Sequence, residues 1–135
     1  MLLLQLVLLP LIAHCQEALE DVKDDVIIET LHKPEECPRV TRNGDFLEVV
    51  ATSTVKQTGW VFGKDLTSRF QLGQGKVVPG WDIGLLGMCE GERRKLIVPP
   101  RLAYGAKGRA RVRIPGNAFI VYDIELKRFE IKDEL

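Results

Sequence analysis

The sequence predicts one α+β domain, in which a curved antiparallel sheet of five or six strands wraps around one short helix. Three observations carry this prediction. The run 119–126 alternates at period two, the segment 81–88 repeats apolar residues at helical spacing, and several short runs rich in branched and aromatic residues lie between turn signals. The single helix therefore has a sheet of several strands to pack against.

The strands are predicted in chain order from these runs. An Asn-Gly-Asp turn at 43–45 precedes one strand, and two short strands separated by a loop come after it. The last strand places alternate apolar residues from Ile120 to Leu126 on one face. Strands are expected at 26–28, 46–50, 60–62, 68–72, 96–98 and 119–126.

The helix is predicted from an apolar stripe. Trp81, Leu85 and Met88 recur at i, i+4 and i+7, which describes one face about three turns long. Gly80 precedes the stripe and Gly91 follows it, as is typical of helix boundaries. Trp81 is either a plain core anchor or, with two valines and a Pro-Gly break beside it, part of an apolar pocket.

Length and composition suit one globular domain, because 135 residues of which 45% are hydrophobic are enough for an ordinary core. A formal net charge of zero gives no reason to expect nucleic acid as a partner. The two histidines, His14 and His32, cannot build a His-based metal site, and no Cys-x-x-Cys occurs, so no metal or other cofactor is expected. The glycines at 73–76 lack the spacing of a phosphate-binding loop.

The amino-terminal end resembles a secretory signal peptide, expected over residues 1–15. Its apolar run at 2–12 is too short to span a bilayer, and small residues follow at 13–15, although no Lys or Arg precedes the run. The alternative is a buried amino-terminal helix, which Pro10 disfavours. No membrane span is expected.

The carboxyl-terminal end has the form of an endoplasmic-reticulum retrieval signal, which implies a retrieval receptor as a partner. This signal consists of Lys132, Asp133, Glu134 and Leu135. Together the two ends predict a soluble protein of the endoplasmic-reticulum lumen. Between them, residues 16–25 are acidic and polar and are expected to form a loose leader, and residues 26–131 form the domain.

A dense pattern of residues lies between positions 72 and 105. It consists of Leu72-Gly73-x-Gly75-x-Val77-Val78-x-Gly80-Trp81, Gly84-Leu85, Met88, Gly91-Glu92-Arg93-Arg94-Lys95-Leu96, Pro99 and Leu102-Ala103-Tyr104-Gly105. Ile114-Pro115 and the run 121–126 continue it. The pattern covers residues 26–129 and closely resembles the FKBP-type peptidyl-prolyl cis-trans isomerases.

The resemblance implies an apolar pocket that holds a prolyl segment. Trp81 would form its floor, Tyr104 would donate a hydroxyl at its rim, and the backbone N–H of Val78 would bond a ligand carbonyl. Its walls would be Phe62, Val77, Val78, Ile114 and Tyr122. The implied catalytic residues are Trp81, Tyr104, Phe62 and Val78, and the implied substrate-binding residues are Val77, Ile114 and Tyr122. Each of these could instead be plain core.

The implied activity needs neither a nucleophile nor an acid or base. Rotation about an X-Pro bond breaks amide resonance against a barrier of about 20 kcal/mol. The twisted amide has less charge separation than the planar one, so an apolar, water-poor pocket favours the transition state. The expected partners are proline-containing unfolded or nascent secretory chains, with weak macrolide binding. The alternative is a binding module or chaperone that uses the same pocket without catalysis.

Two positions depart from the family pattern. The usual His-Tyr-Thr-Gly is replaced by residues 50–53, which puts Ala51 in place of a pocket tyrosine. The usual Phe-Asp is Phe62-Gly63, which removes a carboxylate near the twisting amide. The loop 64–68 is also short. Because the missing Tyr and Asp normally belong to one network, their joint loss predicts a wider pocket with weak turnover and weak macrolide affinity.

Two further features follow from the resemblance and the compartment. Secreted family members carry cysteines at the places of Cys37 and Cys89, so a disulfide is expected there, with two separate buried thiols as the alternative. The loop between Tyr104 and Pro115 contains four cations and no acid. These cations are Lys107, Arg109, Arg111 and Arg113. The loop is either merely solvated or forms a basic rim that selects acidic flanks in client chains or approaches anionic surfaces.

Overall fold

A computed structural model describes residues 20–131, which form one antiparallel sheet and a short helix. The strands are β1 Glu20–Lys23, β2 Val26–His32, β3 Phe46–Val55, β4 Val61–Gln71, β5 Arg93–Val98 and β6 Ile120–Glu130. The helix is α1 Pro79–Gly84, and two 3₁₀ turns lie at Pro100–Leu102 and Ala110–Val112. The spatial order of the strands is β1-β2-β5-β6-β3-β4. A six-stranded curved sheet with one short helix confirms the predicted fold class.

Strand β6 lies at the centre of the core, paired with β5 on one side and with β3 on the other. Its alternate residues from Ile120 to Leu126 are each at most 2% exposed, which confirms the predicted buried face. The strand continues beyond its predicted end. Lys127 is an extra residue between the pairs that Arg128 and Leu126 make with β3, so Phe129 also turns into the core.

The helix is shorter than predicted. It covers only Pro79–Gly84, although Leu85 and Met88 of the predicted stripe are both fully buried. The side chain of Thr41 donates a hydrogen bond to the Leu85 carbonyl at 2.6 Å and accepts one from the Met88 N–H at 2.9 Å. Gly87 has a left-handed φ of 73°, which a continuing helix does not allow. The predicted helix length of three turns was therefore wrong, whereas the predicted burial of Leu85 and Met88 is confirmed.

A buried ion pair secures the turn that follows α1. The Arg94 guanidinium donates to the carbonyls of Gly84, Leu86 and Gly87 at 2.9, 2.7 and 3.1 Å. It also pairs with Glu92, which is 1% exposed. Because a helix end leaves its last carbonyls without partners inside the helix, this one cation satisfies the groups that the short helix leaves open.

The helix packs closely on strand β5. An ideal Cβ on Gly80 would lie 2.4 Å from Cγ1 of Val98, and one on Gly84 would lie 2.6 Å from Cδ1 of Leu96. Only glycine leaves room for this contact. Strand β5 therefore fixes the position of Trp81, which lies between the two glycines.

Strand β4 corrects the prediction of two short strands separated by a loop. It runs without interruption from Val61 to Gln71 and pairs with β3 along its length. The pairing shifts register opposite Ala51–Ser53 and again opposite Ser53–Thr54, and at each place β4 has one residue more than β3, which interrupts its regular alternation. The residues expected in a loop are therefore strand residues, and their departure from period two is the reason they did not look like one.

The amino-terminal leader was also predicted incorrectly where the structure describes it. Residues Glu20–Lys23 form β1 and pair with β2, with Val22 opposite Ile27. Asp24 and Asp25 make the tight turn between them, both with positive φ. Backbone hydrogen bonds at the sheet edge hold this strand in spite of its acidic composition. The predicted signal peptide at 1–15 and the retrieval signal at 132–135 lie outside the described residues.

A disulfide joins Cys37 to Cys89 across 52 positions of sequence, with a Cα–Cα distance of 5.5 Å. Cys89 is fully buried and also forms an isolated β-bridge with Val40. The bond fastens the connection between β2 and β3 to the turn after α1. This is the pairing that the resemblance implies.

Candidate functional site

A cavity of about 540 Å³ opens between the amino-terminal end of α1, strands β3 and β4, and the chain after β5. Six of the seven residues predicted for the pocket line it: Phe62, Val77, Val78, Trp81, Tyr104 and Tyr122. The seventh, Ile114, is not among the lining residues. It is 2% exposed within the core and pairs with Arg109 through backbone hydrogen bonds.

Several lining residues were not predicted for the pocket. They are Ser53, Leu66, Ser68, Gly75, Lys76 and Arg109. Ser53 shares the alternation that buries Val49 and Ala51, so period two along β3 could have identified it. No comparable signal identifies Leu66, because the extra residues of β4 opposite Ala51–Thr54 decide which way its side chains turn.

A larger depression of about 650 Å³ lies on the outer face of the sheet. Its lining consists mainly of polar and charged side chains, among them Arg93 and Asp123, which form a two-point ion pair at 2.7 and 2.5 Å. No aromatic side chain lines it. We regard the smaller cavity as the candidate site, because six of the seven residues predicted for the pocket line it and four of these six are aromatic.

The aromatic rings of the cavity are held at fixed angles to one another. Trp81 and Tyr122 meet edge to face, with ring centroids 5.4 Å apart and planes at 83°. Phe70 packs against the other side of Trp81 at 5.7 Å. Phe62 and Tyr104 form a second edge-to-face pair at 5.9 Å and 86°. Such pairs favour one arrangement of rings, so the cavity walls are rigid before any ligand arrives.

Two polar atoms at the cavity have no hydrogen-bond partner within residues 20–131. They are the Trp81 indole Nε1 and the Tyr122 hydroxyl. Burial raises the pKa of Tyr122 well above its usual range, and the charge and hydroxyl of nearby Tyr104 add to this shift. The two hydroxyls are thus neighbours without the geometry of a hydrogen bond. The aromatic part of the cavity therefore holds two polar atoms that no described residue satisfies.

A carboxylate orders the glycine-rich turn that leads into α1. Asp82 Oδ1 accepts the N–H of Gly73 at 2.8 Å, and Oδ2 accepts the N–H of Gly75 at 3.1 Å. Both glycines have positive φ. The turn ends immediately before Val77 and Val78, so one side chain of the helix positions the chain that forms a wall of the cavity.

Val78 combines an apolar side chain with a free backbone donor. It is the N-cap residue of α1, and its carbonyl accepts the N–H of Trp81 at 2.9 Å. Within the described chain its own N–H makes no hydrogen bond. Because it borders the cavity, this N–H is placed to bind a ligand carbonyl, as the resemblance implies.

The two departures from the family pattern both lie on the cavity wall. Ala51 is 4% exposed, and Gly63 lies opposite Ser53 in the sheet. A Cβ added to Gly63 would lie 3.0 Å from Cδ1 of Leu66, whose side chain is 57% exposed. Leu66 thus approaches the space that a side chain at position 63 would use. This part of the wall is small and apolar.

The loop from 105 to 113 forms the rim of the cavity and is held in place by several contacts. The backbones of Arg109 and Ile114 exchange hydrogen bonds of 2.8 and 3.0 Å. The Trp60 indole donates to the Val112 carbonyl at 2.9 Å, and the Arg113 guanidinium lies 5.1 Å from the centre of the Trp60 ring. Arg109 itself borders the cavity. The basic loop therefore has a defined shape.

No metal centre is formed by the described residues, since no group of three or more His, Cys, Asp or Glu side chains is placed to hold an ion. Residues 20–131 also include no helix that is long and apolar enough to cross a membrane. The site therefore combines aromatic walls, two cations in the lining and the free backbone N–H of Val78.

Comparison with known proteins gives the class of protein that this fold and site define. A family model described as FKBP-type peptidyl-prolyl cis-trans isomerase matches residues 37–127. The chain belongs to this family. Members of the family are peptidyl-prolyl isomerases that bind proline-containing substrates and macrolides.

Individual relatives agree with this assignment. The mouse protein named "Peptidyl-prolyl cis-trans isomerase FKBP2" is 45% identical over 103 residues, which cover 73% of this chain and 72% of that protein. The human "Peptidyl-prolyl cis-trans isomerase FKBP9" is 42% identical over 115 residues, covering 82% of this chain and only 20% of that longer protein. A structure of the three FKBP domains of wheat FKBP73 superposes with a TM-score of 0.73 at 27% identity, covering 83% of this chain and 50% of that one.

Proposed function

We propose that this chain catalyses cis-trans isomerisation of X-Pro bonds in unfolded and nascent protein chains. The observation that carries the proposal is the aromatic cavity around Trp81, bordered by the free N–H of Val78. Membership of a family of peptidyl-prolyl isomerases supports it. Rotation about an X-Pro bond requires no nucleophile, so the proposal does not depend on finding one in the cavity.

The cavity can favour the transition state in a simple way. As the X-Pro bond twists, amide resonance is lost and charge separation falls, so transfer from water to an apolar wall costs the twisted amide less than the planar one. Trp81 and Tyr122 would hold the proline ring, and Phe62 and Val77 would close the sides. A barrier lowered by about 8 kcal/mol corresponds to an acceleration of about a million-fold.

Hydrogen bonds would orient the ligand rather than carry out chemistry. The Val78 N–H would bind a carbonyl of the client chain, and the Tyr104 hydroxyl would donate at the rim. Because the rings are already fixed by edge-to-face packing, little order is lost on binding. We propose weak macrolide binding at the same cavity.

The test is isomerisation of an X-Pro tetrapeptide series by the mature, oxidised domain. We expect acceleration in the parent protein and its loss in Trp81→Ala, with Trp81→Phe intermediate and both variants shown to be folded by circular dichroism. Phe119→Ala is a matched control, since Phe119 is a large aromatic residue, 40% exposed, that does not line the cavity. A folded parent protein without activity would contradict the proposal.

A second candidate is a non-catalytic prolyl-binding module or chaperone. Ala51 and Gly63 favour it, because they leave the cavity wall without the polar pair that the family carries there. Restoring Ala51→Tyr and Gly63→Asp together should raise turnover if isomerisation is the function. Leu66 must rotate away from a side chain at 63, which its exposure permits. A double variant no faster than the parent would show that the missing pair does not limit catalysis.

We further propose that the clients are secretory proteins in the endoplasmic-reticulum lumen. The signal-peptide pattern, the retrieval signal and a disulfide between Cys37 and Cys89 support this compartment together. Deletion of residues 132–135 in a cell line should move the protein to the culture medium, as expected when a retrieval receptor no longer returns it. Retention of the deleted form inside the cell would contradict this location.

A further inference from the structure

We propose that the basic loop at the cavity rim selects client chains with acidic residues next to the bound proline. This inference rests on the proposed function, since it concerns the ligand of the same site. The loop cations are Lys107, Arg109, Arg111 and Arg113. The group that would pair with these cations is a carboxylate on the client chain.

The cations of the basic loop have no carboxylate partner in the described chain, although the Arg113 guanidinium lies over the Trp60 ring. All four side chains are exposed, and none takes part in an ion pair among residues 20–131. Arginines on the sheet behave differently: Arg93 pairs with Asp123, and Arg69 and Arg128 share Glu48. The charges of the loop are therefore available to a partner.

The lining of the cavity is itself positively charged. Two cations line it, Lys76 from the glycine-rich turn and Arg109 from the basic loop, and no acidic side chain does. With Gly63 where the family has an aspartate, the wall contains no carboxylate to oppose them. The whole chain nevertheless has a net charge of zero. Positive charge is thus concentrated at the site where the client binds.

The basic loop is held in a fixed shape before any client binds. The exchanged backbone bonds between Arg109 and Ile114 close a short hairpin, and the Trp60 indole holds the Val112 carbonyl. A Cβ on Gly108 would lie 2.3 Å from the Ile114 carbonyl oxygen, so the two sides of the loop are in close contact. A rigid loop loses little entropy when it binds a charged chain, which favours its use in recognition.

The position of Arg109 favours a peptide over a membrane surface as the occupant. Arg109 lines the same cavity as Trp81 and Tyr104, so a carboxylate that meets it there belongs to the chain already seated in the cavity. A carboxylate adjacent to the proline lies within reach of a long side chain at the cavity rim. An anionic lipid surface would instead contact the outward-facing cations without entering the cavity.

The experiment compares matched tetrapeptides that carry Glu, Gln or Lys on either side of proline. Binding of each peptide to the mature, oxidised chain is measured by titration, and isomerisation by a separate assay. At low salt we expect the Glu peptide to bind about three- to tenfold more tightly than the Gln peptide, and the Lys peptide more weakly than both. Raising the salt to about 0.5 M should reduce this preference, since exposed charges are screened.

Variants locate the effect. The double variant Arg109→Gln with Lys76→Gln should reduce the ratio of Glu-peptide to Gln-peptide affinity to near one, and Arg111→Gln should reduce it partly. Lys33→Gln is the matched control for Arg111→Gln, because each removes one exposed positive charge and Lys33 lies in the connection between β2 and β3. It should leave the ratio unchanged.

The outcomes separate this inference from the proposed function. Equal binding of the Glu and Gln peptides, with isomerisation intact, overturns the acidic preference alone. Failure of every peptide to bind overturns both. Peptide binding without acceleration overturns the isomerase and leaves the acidic preference to be decided by the affinity ratio. If the chain binds phosphatidylserine vesicles and none of the peptides displaces it from them, the loop is assigned to a membrane surface instead.

Discussion

The Tyr122 hydroxyl is buried at the cavity without a partner among the described residues, and this has a measurable effect on stability. An unpaired buried hydroxyl costs about 1–3 kcal/mol. Replacing the tyrosine with phenylalanine keeps the ring that packs edge to face with Trp81. We expect Tyr122→Phe to be as stable as the parent at neutral pH, or more stable.

The same residue gives a prediction for alkaline pH. Tyr122 has a raised pKa in the folded protein because of burial, whereas in the unfolded chain it titrates near its ordinary value of about 10. Above that pH the unfolded state loses a proton that the folded state keeps. The free energy of unfolding should therefore fall by up to about 1.4 kcal/mol for each further pH unit.

Denaturant unfolding from pH 8 to pH 11 tests this dependence. Tyr122→Phe should lack the fall, while Tyr104→Phe, the matched loss of the other tyrosine hydroxyl, should keep it. The difference between the parent and Tyr122→Phe curves isolates Tyr122, and Tyr104→Phe should keep the fall because burial is the largest cause of the raised pKa. Parallel curves for the parent and Tyr122→Phe would contradict the assignment.

Among elements, the glycine-rich turn and α1 act as one unit because of Asp82. Asp82→Ala removes both acceptors of the Gly73 and Gly75 N–H groups, and we expect a loss of about 1–3 kcal/mol in stability. Activity should fall by about tenfold in protein that is still folded, because Val77 and Val78 lose their fixed position.

Asp82→Asn is the matched control, since its amide oxygen can still accept one of the two hydrogen bonds. It should have intermediate activity. Amide hydrogen exchange would follow the turn directly, with faster exchange at Gly73 and Gly75 in Asp82→Ala. Unchanged exchange together with unchanged activity would show that the turn is held by other contacts.

The elements also show which parts of the fold can be predicted from sequence. Strand β6 was predictable because its alternation from Ile120 to Leu126 is local and one face is buried. The length of α1 was not, because Thr41 and Arg94, distant in sequence, bind the backbone groups where it ends. Strand β4 was missed because it carries extra residues opposite β3, which disrupt the alternation that marks a strand.

The candidate site was also predictable only in part. The motif around Trp81 identified six lining residues through resemblance. It did not exclude Ile114, whose side chain turns into the core once its backbone pairs with Arg109. Leu66 and Lys76 enter the cavity lining through the path of β4 and of the glycine-rich turn, and a linear motif does not record either path.

For the whole molecule, the disulfide is the main covalent constraint among the described residues. It closes a loop of 52 positions, for which chain entropy predicts about 4 kcal/mol of stabilisation. The double variant Cys37→Ala with Cys89→Ala should lose about 2–4 kcal/mol in denaturant unfolding. Neither cysteine lines the cavity, so prolyl-peptide binding should persist wherever the variant is folded.

Reduction of the parent protein provides the comparison. The reduced parent should unfold at the same denaturant concentration as the double variant, and the oxidised parent at a higher one. Coincident transitions for the oxidised and reduced parent would mean that the bond adds nothing to stability.

The placement of the two tryptophans gives the molecule two separate optical reporters. Trp81 is 8% exposed at the cavity, and Trp60 is 41% exposed beneath the Arg113 guanidinium at the rim. Their fluorescence emission should differ, because the Trp81 indole is shielded from water whereas the Trp60 indole is exposed to water and lies next to a cation. A Trp60→Phe protein would therefore report cavity occupancy by fluorescence alone, and a Trp81→Phe protein would report contact with the basic loop.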